Sequence, residues 1–118
     1  MKPSNEPYLI VASPIFKLSL QRLKAFLGMR FGENVARAAS ESIKAKVQVQ
    51  LTTNPLVAPI SERLFQLGLT DYRQFCVDEH NLVFFRIDTQ QNEVQLLLVM
   101  DSRQSIQKLL FELNLLAN

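Results

Sequence analysis

The sequence is short of the residues that staple, anchor or metallate a chain. Its 118 residues include one cysteine, one histidine, three glycines and no tryptophan. A lone cysteine, Cys76, excludes an internal disulfide and suits a reducing cytosol. No His/Cys/carboxylate cluster has metal-ligand spacing, and Gly28, Gly32 and Gly68 are too scattered to cradle a phosphate. No cofactor is expected. The apolar run Leu96 to Met100 is far too short to cross a bilayer. Met1-Lys2-Pro3-Ser4-Asn5 leads into no secretory block, so a cytoplasmic protein without a membrane partner is expected. Charge of one sign is scarce too: the formal net charge is +2, which fits an acidic partner without requiring one.

What is present is the composition of a globular protein, 47% hydrophobic and 20% charged. The length matches one domain over residues 1–118, burying roughly two-thirds of the surface an unfolded chain exposes. Tyr8 to Ala12 is short and β-prone. Ser13-Pro14 then offers a capping hydroxyl and a proline at the first helical position. Phe16, Leu20, Leu23 and Leu27 recur at helical spacing, predicting a helix from Pro14 to about Leu27, with Gly28 and Gly32 bracketing a break. A second helix is predicted over Glu33 to Leu51, with Val35, Ala36, Ala39, Ile43, Val47 and Leu51 inward, ended by Thr53-Asn54-Pro55. The two read as an antiparallel hairpin.

The remainder reads mostly as sheet. Extended segments are expected at Arg63 to Leu67, Asp71 to Val77, Leu82 to Ile87 and Val94 to Met100. Polar turns lie at Asp78 to Asn81 and Asp88 to Asn92. The near-continuous apolar run of the last strand suggests cover on both faces. Ser102 or Ser105 caps a final helix through Leu116, in which Ile106, Leu109, Leu110, Leu113 and Leu116 form one stripe. Phe111 and Leu115 fall outside it. The order defines an α+β protein.

At this point the chain resembles the RelE/ParE toxin superfamily over about Tyr8 to Leu116. The likeness is carried by Ser13-Pro14-Ile15-Phe16 before a basic helix, Asn54-Pro55 ending a hairpin, and Tyr72-Arg73 opening a strand. The stretches "NLVFFRID" (Asn81 to Asp88) and "LLVMDSRQSI" (Leu97 to Ile106) continue it in order. The resemblance implies a helical hairpin on a curved antiparallel sheet of about four strands, with a C-terminal helix. It also implies a type II toxin–antitoxin system and a hetero-oligomer with a short antitoxin, whose N-terminal part binds operator DNA and whose amphipathic tail wraps the toxin. Two mechanisms come with it: RelE-like members cut messenger RNA on the ribosome, and ParE-like members poison DNA gyrase, the type associated with plasmid stabilisation.

Metal-free RNA cleavage needs a base, an acid and cations around the phosphorane. The nuclease strand pattern "hRLVY" supplies an essential arginine; here it reads His80-Asn81-Leu82-Val83-Phe84, with an amide at that position. Nucleases often carry a histidine or tyrosine near the end of the last strand. This chain has Asp101 and Ser102 there, and no Tyr or His follows Asn81. The expectation is therefore a non-enzymatic, ParE-like toxin with no catalytic residues, binding gyrase. The alternatives are a divergent nuclease and a relic that only binds its antitoxin.

Residues expected to meet target or antitoxin are Arg73, Arg86, Arg103, Phe111 and Leu115, arginines and apolar anchors being enriched at binding hot spots. Pairing of these arginines with Asp71, Asp78, Asp88 or Asp101 is the competing account. His80 reads as an exposed turn residue and Cys76 as a small buried one. Lys17, Arg22, Lys24 and Arg30 read as a solvated helix face that also suits an acidic antitoxin.

Overall fold

The computed structural model describes residues 6–114. Strand β1 (Leu9–Ala12) leads into helix α1 (Pro14–Phe31), and α2 (Glu33–Thr53) returns beside it. Ser13 caps α1 as its residue type predicts, its Oγ accepting from Phe16 N at 3.0 Å. Gly28 does not break the chain. Helix α1 runs past it, and Gly32 alone makes the turn, at φ 97° and ψ 162°, a region that side chains with a Cβ rarely enter.

Four strands form one sheet in the order β1-β4-β3-β2. Strands β2 (Arg73–Cys76), β3 (Asn81–Asp88) and β4 (Glu93–Asp101) pair antiparallel, whereas β1 lies parallel to β4, so the sheet is mixed. The region 63–67, expected to be extended, is instead helix α3 (Glu62–Gln66). Ser61 Oγ accepts from Leu64 N at 3.2 Å, and Glu62 occupies the positive end of the helix. The segment at Pro59–Ser61 then borders β2: Pro59 O accepts from Gln74 N, and Ser61 N donates to Tyr72 O. Helix α4 (Ile106–Glu112) is capped by Ser105, not Ser102.

Both sheet faces are covered, as the apolar β4 run implied. The hairpin supplies Leu23, Ile43 and Leu51 against Val83, Phe85, Val94 and Val99. On the other face α3 and α4 bring Leu64, Leu109 and Leu110 against Leu82, Phe84, Leu98 and Met100. A single register break reconciles these sets. Phe84 faces Leu98 while Phe85 faces Leu96, which leaves Leu97 as an extra residue in β4. The bulge inverts the alternation, so Val94, Leu96 and Val99 share the hairpin side.

Beyond the bulge, β1 has ended and β4 lacks a neighbour on that edge. Ser19 of α1 takes its place. Its Oγ accepts from Val99 N at 3.0 Å and donates to Phe16 O at 2.7 Å, with the residue fully buried. Ser40 likewise occupies the inner stripe of α2, whereas Val35, expected inside, is exposed near the hairpin tip.

Candidate functional site

The two positions that depart from the nuclease pattern meet across the sheet: Asn81 at the start of β3 is the register partner of Asp101 at the end of β4. Both are buried, and both are engaged locally. Asp78 Oδ1 accepts from the backbone N–H groups of His80 and Asn81, each at 2.9 Å, and Asn81 Nδ2 donates to Asp78 Oδ2 at 2.9 Å. Asp101 receives three hydrogen bonds from Arg103: the backbone N and Nε to Oδ1, and Nη2 to Oδ2 at 2.7 Å. The guanidinium also lies 5.0 Å above the Phe31 ring. Arg103 is thus paired, the less consequential of the two roles open to it from sequence.

Burial alone would raise the Asp101 carboxyl, but the hydrogen bonds and charge of Arg103 outweigh it and hold the carboxyl below its usual range. Asp78 behaves the same way, burial being outweighed by hydrogen bonds from Asn81 and His80 and by the charge of Lys46. Depressed carboxyls stabilise the fold fully above the unfolded value of about 4 and lose that contribution as pH falls below it through the lowered folded value. Asp101→Asn is therefore expected to be less stable than the wild type at pH 7, with a smaller gap at pH 3. Urea melts at the two pH values check this; a gap of constant size would contradict it.

A cleft of about 450 Å³ opens over this cluster, between the hairpin tip (Phe31, Val35) and the β2–β3 turn (Asp78, Glu79, His80). His80 is half-buried in its wall rather than fully exposed. Sequence spacing alone does not bring His80 to Asp101; the strand register does.

Arg73 and Arg86 lie elsewhere, together in a polar depression of about 600 Å³ with Asp71, Asp88 and Gln95. Arg73 Nη1 donates to Ala58 O at 2.7 Å and Arg86 Nε to Gln95 Oε1 at 2.7 Å. Neither makes an ion pair among the described residues, whose two pairs are Arg22–Glu112 and Arg103–Asp101. The three arginines therefore form no single site. Phe111 is half-exposed on α4, and Leu115 lies outside the described residues. Cys76, expected inside, is exposed at the edge strand.

A third concavity was not foreseen. An apolar groove of about 470 Å³ runs between the hairpin and β1, floored by Ile10, Phe16, Leu20 and Val47 and rimmed by Lys17, Lys24 and Lys44. The basic rim expected on α1 divides: Lys17 and Lys24 face this groove, Arg22 pairs with Glu112, and Arg30 covers Phe26 at 4.4 Å.

A helical hairpin laid on a four-stranded mixed sheet, with short helices on the opposite face, is a small α+β architecture. No family model matches the chain, and neither does any curated protein. Solved structures do. One chain of the toxin–antitoxin complex RelBE2 from Mycobacterium tuberculosis aligns with a TM-score of 0.62 at 16% identity, over 82% of this chain and 93% of that one. A chain of the chromosomal ParDE system from P. aeruginosa aligns at 0.64 and 16%, over 80% and 95%. The chain shares its fold with these two toxin–antitoxin chains. The two likenesses are of equal strength and do not separate the RelE-like from the ParE-like branch.

Proposed function

We propose that this chain is the toxin of a type II toxin–antitoxin pair, acting in the cytosol by binding DNA gyrase rather than by cutting RNA. One observation carries the choice: the paired positions Asn81 and Asp101 supply an amide and a carboxylate, each committed to its own turn. A phosphorane there meets negative charge, and the nearest guanidinium is already neutralised. Trapping one state of an enzyme needs only differential binding.

The antitoxin seat follows from the edges. The outer side of β2 is bordered by Pro59–Ser61, while β1 is the opposite edge strand, its Leu9 and Ser13 N–H groups turned towards β4. The Ile10 and Ala12 backbone groups alternate away from β4, and their side chains line the lysine-rimmed groove. An acidic amphipathic tail that adds a strand there and seats its apolar residues in the groove matches both features. Operator DNA then enters through the antitoxin alone.

The nuclease reading retains one supporting feature, since His80 and Arg103 line the same cleft. Supercoiling by purified gyrase separates the two. Added protein is expected to inhibit supercoiling and accumulate cleaved DNA, and Asp101→Asn is expected to create no ribonuclease activity. Untouched supercoiling together with codon-specific cuts in translated messages would reverse the assignment.

A further inference from the structure

The cleft over Asn81 has a charge character opposite to the basic groove on the hairpin. Its lining places Asp78, Glu79 and Asp101 against one guanidinium, that of Arg103. Its other wall is apolar, formed by Leu27, Phe31 and Val35, with Phe31 and Val35 nearly half-exposed. An apolar wall beside an acidic floor suits a side chain with an aliphatic stem and a cationic head.

A second, independent observation identifies a missing donor. Asn81 is 6% exposed, and its side-chain oxygen is buried with no hydrogen-bond partner among the described residues. The orientation of the amide is fixed, because its nitrogen must face the Asp78 carboxylate. The oxygen is therefore a buried acceptor left over on a residue that lines an acidic cleft, and a donor reaches it only as the cleft wall shifts aside, whereas buried acceptors are ordinarily satisfied. Asp78 Oδ2 and Glu79 add acceptors, while the contacts of Arg103 with Asp101 and Phe31 show that a guanidinium fits between carboxylate and ring.

We propose that this cleft receives an arginine side chain from a protein partner, its guanidinium engaging the Asp78–Asn81 turn and its stem lying on the Phe31–Val35 wall. A planar fork of donors meets several acceptors at once, which a lysine ammonium does less well. The inference does not depend on gyrase being the target. It predicts only that the partner segment reaching the hairpin tip is basic, in contrast to the acidic segment suited to the groove.

The probe is the peptide acetyl-Ala-Arg-Ala-amide, with the citrulline peptide as its uncharged isostere, titrated into the full-length protein labelled with ¹⁵N. The arginine peptide is expected to shift the amides of Phe31, His80, Asn81 and Ser102 saturably, and the citrulline peptide to leave them in place. Glu79→Gln removes an exposed charge of the turn while leaving the hydrogen bonds to Asp78 in place, and is expected to weaken the arginine peptide at least threefold. Arg103→Ala vacates the internal guanidinium and is expected to tighten binding at least threefold, with the peptide raising that variant's Tm more than the wild type's. Equal shifts from both peptides, shifts mapping outside the cleft, or an affinity unchanged in Glu79→Gln would each overturn the proposal. Should Arg103→Ala fail to fold, the Glu79→Gln comparison decides.

Discussion

Replacing Ser19 with alanine is expected to lower the free energy of unfolding by about 1–3 kcal/mol, the cost of leaving a buried donor unsatisfied. For a domain of this size that corresponds to a fall in Tm of roughly 4–15 °C. The reason is topological. Strand β1 ends at Ala12, so the N–H of Val99 further along β4 has no strand to donate to and uses the Ser19 hydroxyl at 3.0 Å. Alanine keeps the helix and nearly the same volume but removes the acceptor, leaving the Val99 N–H facing a fully buried position. Ser102→Ala, at an exposed position, should change stability by less than about 0.5 kcal/mol. Thermal melts measure both, and hydrogen exchange adds a local readout: the Val99 amide should lose protection in Ser19→Ala before its strand neighbours do. A variant that melts with the wild type would show that the hydroxyl is not needed to close this edge.

Two glycines four residues apart should respond in opposite directions. Gly32→Ala is expected to destabilise by about 1–3 kcal/mol, because φ 97° with ψ 162° is a backbone conformation that a Cβ strains. Gly28→Ala is expected to be neutral or to stabilise by up to about 1 kcal/mol, since it lies inside α1 and alanine restricts the unfolded chain. An added Cβ there meets the Ala36 Cβ at 4.0 Å, an ordinary contact. Urea unfolding of the two variants side by side checks the pair. Equal losses would mean that both glycines bend the chain, contrary to the continuous helix.

Much of this architecture was legible because its signals are local. Ser13-Pro14 and Asn54-Pro55 mark helix ends through capping and proline geometry, and both ends fall where those residues place them. The segment at 63–67 was misread although Ser61-Glu62 carried a helix start, because its apolar residues also suit a strand. Two features were out of reach. The run from Val94 to Met100 shows no alternation to reveal that Leu97 is extra, so the register that brings Asn81 opposite Asp101 is fixed only once both strands are paired. Ser19 on the inward stripe of α1 reads as a polar interruption until the missing strand beside Val99 is visible. The arginines divided for the same kind of reason: β2–β3 pairing gathers Arg73 and Arg86, whereas a tight turn fastens Arg103 to the residue two before it.

The parallel seating of β1 on β4 has a consequence for how the protein comes into being. Leu9 pairs with Glu93, and Ser19 meets Val99 from 80 residues away, so the first strand waits for the last before the sheet can close. Such distant closures slow folding relative to local ones. A nascent or truncated chain that ends before β4 has a hairpin whose inner stripe, Leu23, Ile43 and Leu51, has lost much of the sheet it packs against. Termination before β4 therefore leaves apolar surface open to proteases and chaperones, and the folded sheet arises only once β4 has been translated.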